Sequence, residues 1–224
     1  VSARALALAL AALVVGGGCA KPTAAPSTPA LPPIVQIGAP VLRARAAEVA
    51  PERIATREIQ DLVATMIATM RAAPGVGLAA PQIGVPLRII VLEDRAETIA
   101  KLSDVERRER ERVAFGPRVI VNPVLRPIGE ARATFFEGCL SVSGYAGLVE
   151  RAVEVEVTGL DEHAAPVTWR ARGWPARILQ HELDHLDGTV YVDRMRTRSF
   201  STAEQAKARF GGKPIAEILE AVGP

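Results

Sequence analysis

The chain has 224 residues, of which 49% are hydrophobic and 23% charged, a length and balance that fit one globular domain with a sizeable core. A net charge of +2, with Lys and Arg spread along the chain, and only 4% aromatic residues leave no case for a nucleic-acid surface or a base-stacking platform. Cys19 and Cys139 are the two cysteines, too few for a disulfide framework.

The first 19 residues, VSARALALALAALVVGGGC, start with a positive charge at Arg4, continue in an apolar run from Ala5 to Val15, and end in small residues before Cys19. This pattern resembles a bacterial secretory signal with a lipoprotein-type processing site. Gly16 stands where such signals prefer a branched aliphatic residue. The run is short for a membrane span. Export, with a lipid anchor at Cys19, is therefore expected; a start near Ile34 would instead give a cytoplasmic protein. Residues 20–33 hold PTAAPSTPALPP, the composition of an extended linker. The folded domain is expected over 34–224.

Pro51 to Arg71 reads as one helix. Ile59, Leu62, Val63, Met66, Ile67 and Met70 form a single apolar stripe, and Pro51 suits a first-turn position. GVGLAAPQIG, residues 75–84, is too rich in Gly and Pro for a regular element. LRIIVLE reads as a buried strand. Residues 95–112 mix both signs of charge and read as a solvated loop or surface helix. RVIVNPVL, ARATFF and RAVEVEVTGL read as strands, the last with Val153, Val155 and Val157 alternating with glutamates. PVTWRA is its hairpin partner across a turn that holds a solvent-exposed His163. Pro175 to Asp187 is a helix closed by Gly188. Two short helices are expected in the tail. Hairpins followed by a helix predict an α+β fold with largely antiparallel sheets.

That helix carries QHELDHLDG. His181 and His185, four residues apart, stack on one face and can aim at one point. Glu182 lies about 100° round the helix and can stand beside that point without ligating it. The H-E-x-x-H pattern suits a divalent ion with a carboxylate to take a proton from water. Catalytic tetrahedral sites take three protein ligands. No third-ligand motif follows the helix. Upstream, Cys139 in EGCLSVSGY would complete a Cys/His/His set, although a cysteine taken alone reads more readily as a buried structural thiol.

GVGLAAPQIG, EGCLSVSGY and QHELDHLDG, in that order, resemble the three motifs of the peptide deformylases. GWPARILQHE and YVDRM resemble the subgroup that includes organellar enzymes. The resemblance covers about Ile34 to Phe200 and implies antiparallel sheets packed around a central metal-binding helix. It implies hydrolysis of the formyl group from N-formyl-methionyl nascent peptides, with release of formate and the ribosome as the place of work. It implies Cys139, His181 and His185 as metal ligands and Glu182 as general acid/base. Gln82 and the backbone N–H of Leu140 would bind the oxyanion, and the backbone of Gly77 would meet the substrate. Val76, Trp174 and Ile178 would line the methionine pocket, and Glu137 and Arg151 would form a supporting ion pair. Fe(II) is the implied ion, with Zn, Ni or Co able to replace it. Many bacterial members carry an Arg where this chain has Ala146. A zinc peptidase and a non-catalytic envelope lipoprotein that only binds peptide or metal are the competing readings.

Overall fold

The computed structural model describes residues 30–223, so the leader at 1–19 and most of the 20–33 linker lie outside the described residues. The compact unit begins at Leu31. Its first residues are already tied down: Val35 N–H donates to the Gln82 carbonyl at 2.8 Å and Ile37 N–H to that of Ser141 at 2.8 Å.

The helix expected over 51–71 is two helices, α1 (Pro51–Ile54) and α2 (Arg57–Ala72). Thr56 breaks it. Its backbone is extended, and its hydroxyl donates to the Arg53 carbonyl at 2.6 Å, competing with helix continuation. Pro51 does open α1, and Ile59, Val63, Met66 and Met70 form the buried stripe of α2. The Gly/Pro-rich stretch is more regular than its composition suggests. It contains β1 (Gly77–Ala79) and a 3-10 turn, Ala80–Ile83. β2 (Ile89–Asp94) follows, then two surface helices, α3 (Ala96–Ile99) and α4 (Asp104–Glu109), the second opened by a Ser103/Glu106 capping box.

β3 (Phe115–Pro127), β4 (Arg132–Cys139), β5 (Val142–Ala152), β6 (Glu154–Leu160) and β7 (Pro166–Arg172) are next. RAVEVEVTGL is thus not one strand. Arg151 and Ala152 end β5, Val153 is a bend, and only Val155 and Val157 keep the buried alternation. The segment crosses from one sheet to the other at the Val153 bend. α5 (Trp174–Leu186) starts one residue before Pro175, and β8 (Ser201–Thr202), α6 (Ala203–Phe210) and α7 (Ile215–Val222) complete the chain.

One antiparallel sheet has the order β1-β2-β3-β6-β7 and the other β4-β5-β8. β2 is buried throughout because both its faces are covered. Ile89 and Val91 pack with the α2 stripe, while Ile90 and Leu92 pack with Ile178, Leu179 and Leu186 of α5. That continuous apolar run is the mark of a strand covered on both faces. α5 lies in the middle with strand residues from both sheets beside it, so the expected α+β fold around a central helix is the fold observed. Among the described residues no helix is long and apolar enough to cross a membrane.

Candidate metal centre

β4 ends at Cys139 and the chain turns back through Leu140 and Ser141 into β5. The turn delivers the Cys139 thiol against the polar stripe of α5. Cys139 Sγ lies 3.2 Å from His185 Nε2, and the three candidate ligand atoms of Cys139, His181 and His185 all lie within 4.8 Å of one another. An ion bound at about 2.3 Å to sulfur and 2.1 Å to nitrogen in tetrahedral geometry holds those two atoms roughly 3.5 Å apart, so the set fits a metal. Donors surround the sulfur as a thiolate requires: Gln82 Nε2 at 3.5 Å and Ser141 N–H at 3.4 Å. His181 Nδ1 lies 3.0 Å from Glu137 Oε2. A proton on Nδ1 for that hydrogen bond leaves the other ring nitrogen free to ligate. His163, the remaining histidine, is exposed in the turn between β6 and β7.

Glu182 is 4% exposed, and its Oε2 has no hydrogen-bond partner among the described residues. Burial pushes its carboxyl up to about 7, against the pull of His181. Such a value suits a group that accepts and returns a proton near neutral pH. Gly77 makes room for it: a Cβ there would stand 2.2 Å from Glu182 Oε1. The Gln82 side chain is held by the Ala79 N–H, which donates to Oε1 at 2.8 Å, so its amide nitrogen points at the ligand sulfur and Ser141. The Leu140 N–H is left without a partner among the described residues. These groups border a cavity of about 470 Å³, with Val76, Trp174 and Ile178 on its wall. His185 is fully buried behind it. The volume is that of a small-ligand site.

Beneath the ligands lies a charge network larger than the Glu137–Arg151 pair expected from the sequence. Arg151 donates twice to Glu137, at 3.0 and 2.9 Å, and also to Asp184. Arg177 donates to Glu137 at 2.7 Å, and Arg194 binds both oxygens of Asp184 at 2.7 Å. Burial alone would raise the Glu137 carboxyl, but hydrogen bonds from His181 and Arg151 hold it well below the usual carboxylate range. Arg177, Asp184 and Arg194 were not anticipated. A signal existed for two of them, because Arg177, His181, Asp184 and His185 repeat at helical spacing, a polar stripe beside the apolar one.

Residues 31–201 match the family model described as Polypeptide deformylase. Peptide deformylase 1A, chloroplastic, of Solanum lycopersicum is 53% identical over 78% of this chain, which spans 63% of that relative's length. Peptide deformylase 1A, chloroplastic/mitochondrial, of Arabidopsis thaliana is 51% identical over 87% of this chain and 70% of its own. The Met-Ala-Ser-bound crystal structure of the class I type b peptide deformylase from Acinetobacter baumannii superimposes with a TM-score of 0.66 at 33% identity, covering 74% of this chain and 99% of that one.

Proposed function

The chain belongs to the polypeptide deformylase family, metal-dependent hydrolases that take the formyl group from N-formyl-methionyl nascent peptides, and we propose that it performs that reaction with the residues gathered at the α5 cavity. The observation that carries the assignment is Glu182, a buried carboxylate with an unpartnered oxygen beside the Cys139, His181 and His185 ligand set. The methionine side chain of the substrate enters between Val76, Trp174 and Ile178, and the Gly77 backbone meets the substrate backbone. A divalent ion on the three ligands would supply Lewis acidity, bringing the pKa of water towards about 7. Glu182 takes the proton of the attacking water. As the C–N bond breaks, Glu182 returns that proton to the departing nitrogen, and formate and a free amine leave. Negative charge gathers on the formyl oxygen in between, and Gln82 Nε2 and the Leu140 N–H donate to it. Loss of one such donor costs on the order of 10²–10³ in rate.

Fe(II) is the ion we assign, with Zn, Ni or Co as replacements. A thiolate ligand open to a cavity makes the centre oxygen-sensitive through oxidation of Cys139. Activity that is retained only on anaerobic purification, with iron bound, supports this; equal activity after aerobic handling contradicts it. The leader keeps its reading as an export signal with Cys19 as lipid acceptor. A mature chain beginning at a lipidated Cys19 by mass spectrometry supports an envelope location, and one beginning near Ile34 supports work beside the ribosome.

Formate release from formyl-Met-Ala-Ser, with Met-Ala-Ser left intact, is the expected result. Cleavage of Met-Ala-Ser without formate release would favour a zinc peptidase, and binding without turnover a non-catalytic module. Glu182→Gln should keep the metal and lose activity, whereas Cys139→Ala should lose both. Near-normal turnover by metal-replete Glu182→Gln would refute the acid/base role.

A further inference from the structure

A second cavity of about 190 Å³ adjoins the catalytic one. Phe136, Ala146, Phe210 and Ile218 give it apolar walls, with Phe136 and Phe210 stacked at 5.6 Å between ring centroids. A cavity of roughly 150 Å³ takes up a benzene ring, so this one accommodates a large side chain. It neighbours the catalytic cavity, since Arg110, Phe136 and Ala203 line both.

Arg110 stands at the junction and is underused. Its guanidinium lies 4.8 Å from the centre of the Trp174 ring, which fixes its position. Its side chain is 20% exposed, yet its nearest carboxylate oxygen, on Glu106, is 3.6 Å away, beyond a hydrogen bond. A guanidinium carries five donors and no acceptor. Donors held on a rigid platform between two cavities, ion-paired with Glu106 but making no side-chain hydrogen bond among the described residues, can still take an acceptor from outside. A peptide offers one at every residue. It also offers side chains to the apolar groove beyond.

We propose that the residues of the substrate downstream of methionine leave the catalytic cavity across Arg110, which takes a main-chain carbonyl oxygen, and seat an apolar side chain against Phe136, Ala146 and Phe210. This rests on the deformylase reading of the neighbouring site and adds a preference to it. The enzyme favours longer peptides with leucine-like residues a few positions after the formyl-methionine. Acidic residues there gain less, because they forgo the burial of apolar surface; the charges at the rim, Glu106 and Glu109 against Arg110, Lys207 and Lys213, are mixed.

The test compares formyl-Met-Ala-Ser, formyl-Met-Ala-Ser-Leu-Leu and formyl-Met-Ala-Ser-Asp-Asp on the metal-loaded protein. The leucine peptide should exceed the tripeptide roughly tenfold in kcat/KM, what burying part of one leucine supplies, with the gain in KM rather than kcat. The aspartate peptide should fall well below the leucine peptide. Arg110→Met should return the leucine-to-tripeptide ratio to about one by raising KM. Ala146→Arg, which fills the groove floor, should do the same; if it fails to fold, Arg110→Met decides. Equal efficiency for the three peptides, or a leucine gain that survives Arg110→Met, overturns the proposal. Absence of formate from every peptide overturns the deformylase reading itself and the proposal with it.

Discussion

A methyl group on Gly77 would collide with the Glu182 carboxylate, so the two positions act as one unit. Gly77→Ala should lower kcat/KM by roughly a hundredfold, the scale of an ångström's misplacement of a reacting group. Metal content should stay intact, and a variant with full activity would show that Glu182 can move aside freely. Arg151 is a different case. It is 4% exposed and neutralises both Glu137 and Asp184. Arg151→Met should cost about 1–3 kcal/mol of stability by removing hydrogen bonds to two buried carboxylates that keep Arg177 and Arg194 as partners, which urea unfolding measures. The two histidines were legible from their helical spacing, Cys139 joined them only through the family resemblance, and the fold brings the three candidate ligand atoms within 4.8 Å of one another. Arg177 and Arg194 were not legible in that way. An arginine in a sequence looks the same whether it faces water or a buried carboxylate, and only the fold reveals which.

Among the elements, α5 does most to set the geometry. Its entry depends on Gly173, whose φ of +66 favours glycine and where a Cβ would lie 2.5 Å from the Glu111 Cβ and 2.8 Å from the Arg110 carbonyl oxygen. Gly173→Ala should therefore destabilise the protein by about 2 kcal/mol or more, seen as a fall in Tm. An unchanged Tm would mean the segment 110–111 yields without cost. Elements with one dominant period were readable from sequence: the α2 stripe, the β6–β7 alternation and α5 itself. Those decided by competition were not. Thr56 parts α1 from α2 ahead of the apolar stripe through one side-chain hydrogen bond, and β1 forms from a Gly/Pro-rich run because β2 offers it an edge. Val153 left its expected strand because the chain there passes between two sheets.

For the whole molecule, the candidate ligand set joins parts far apart in sequence, the β4–β5 turn and the central helix. An ion present at a hundred times its dissociation constant adds about 2.7 kcal/mol to folding. Stripping it with a chelator should lower Tm by roughly 5–10 °C at this chain length. No change would mean the two parts are held without the ion. The overall architecture was readable as α+β because hairpins and one polar-striped helix leave few other packings, but the partition into a five-stranded and a three-stranded sheet depends on pairings between distant strands that local pattern does not encode. Cys139 is the one free thiol among the described residues, and it opens on the cavity. Iodoacetamide should thus alkylate the apoprotein at this sulfur and spare the loaded form, turning a single mass increment into a gauge of how many molecules in a preparation carry their ion.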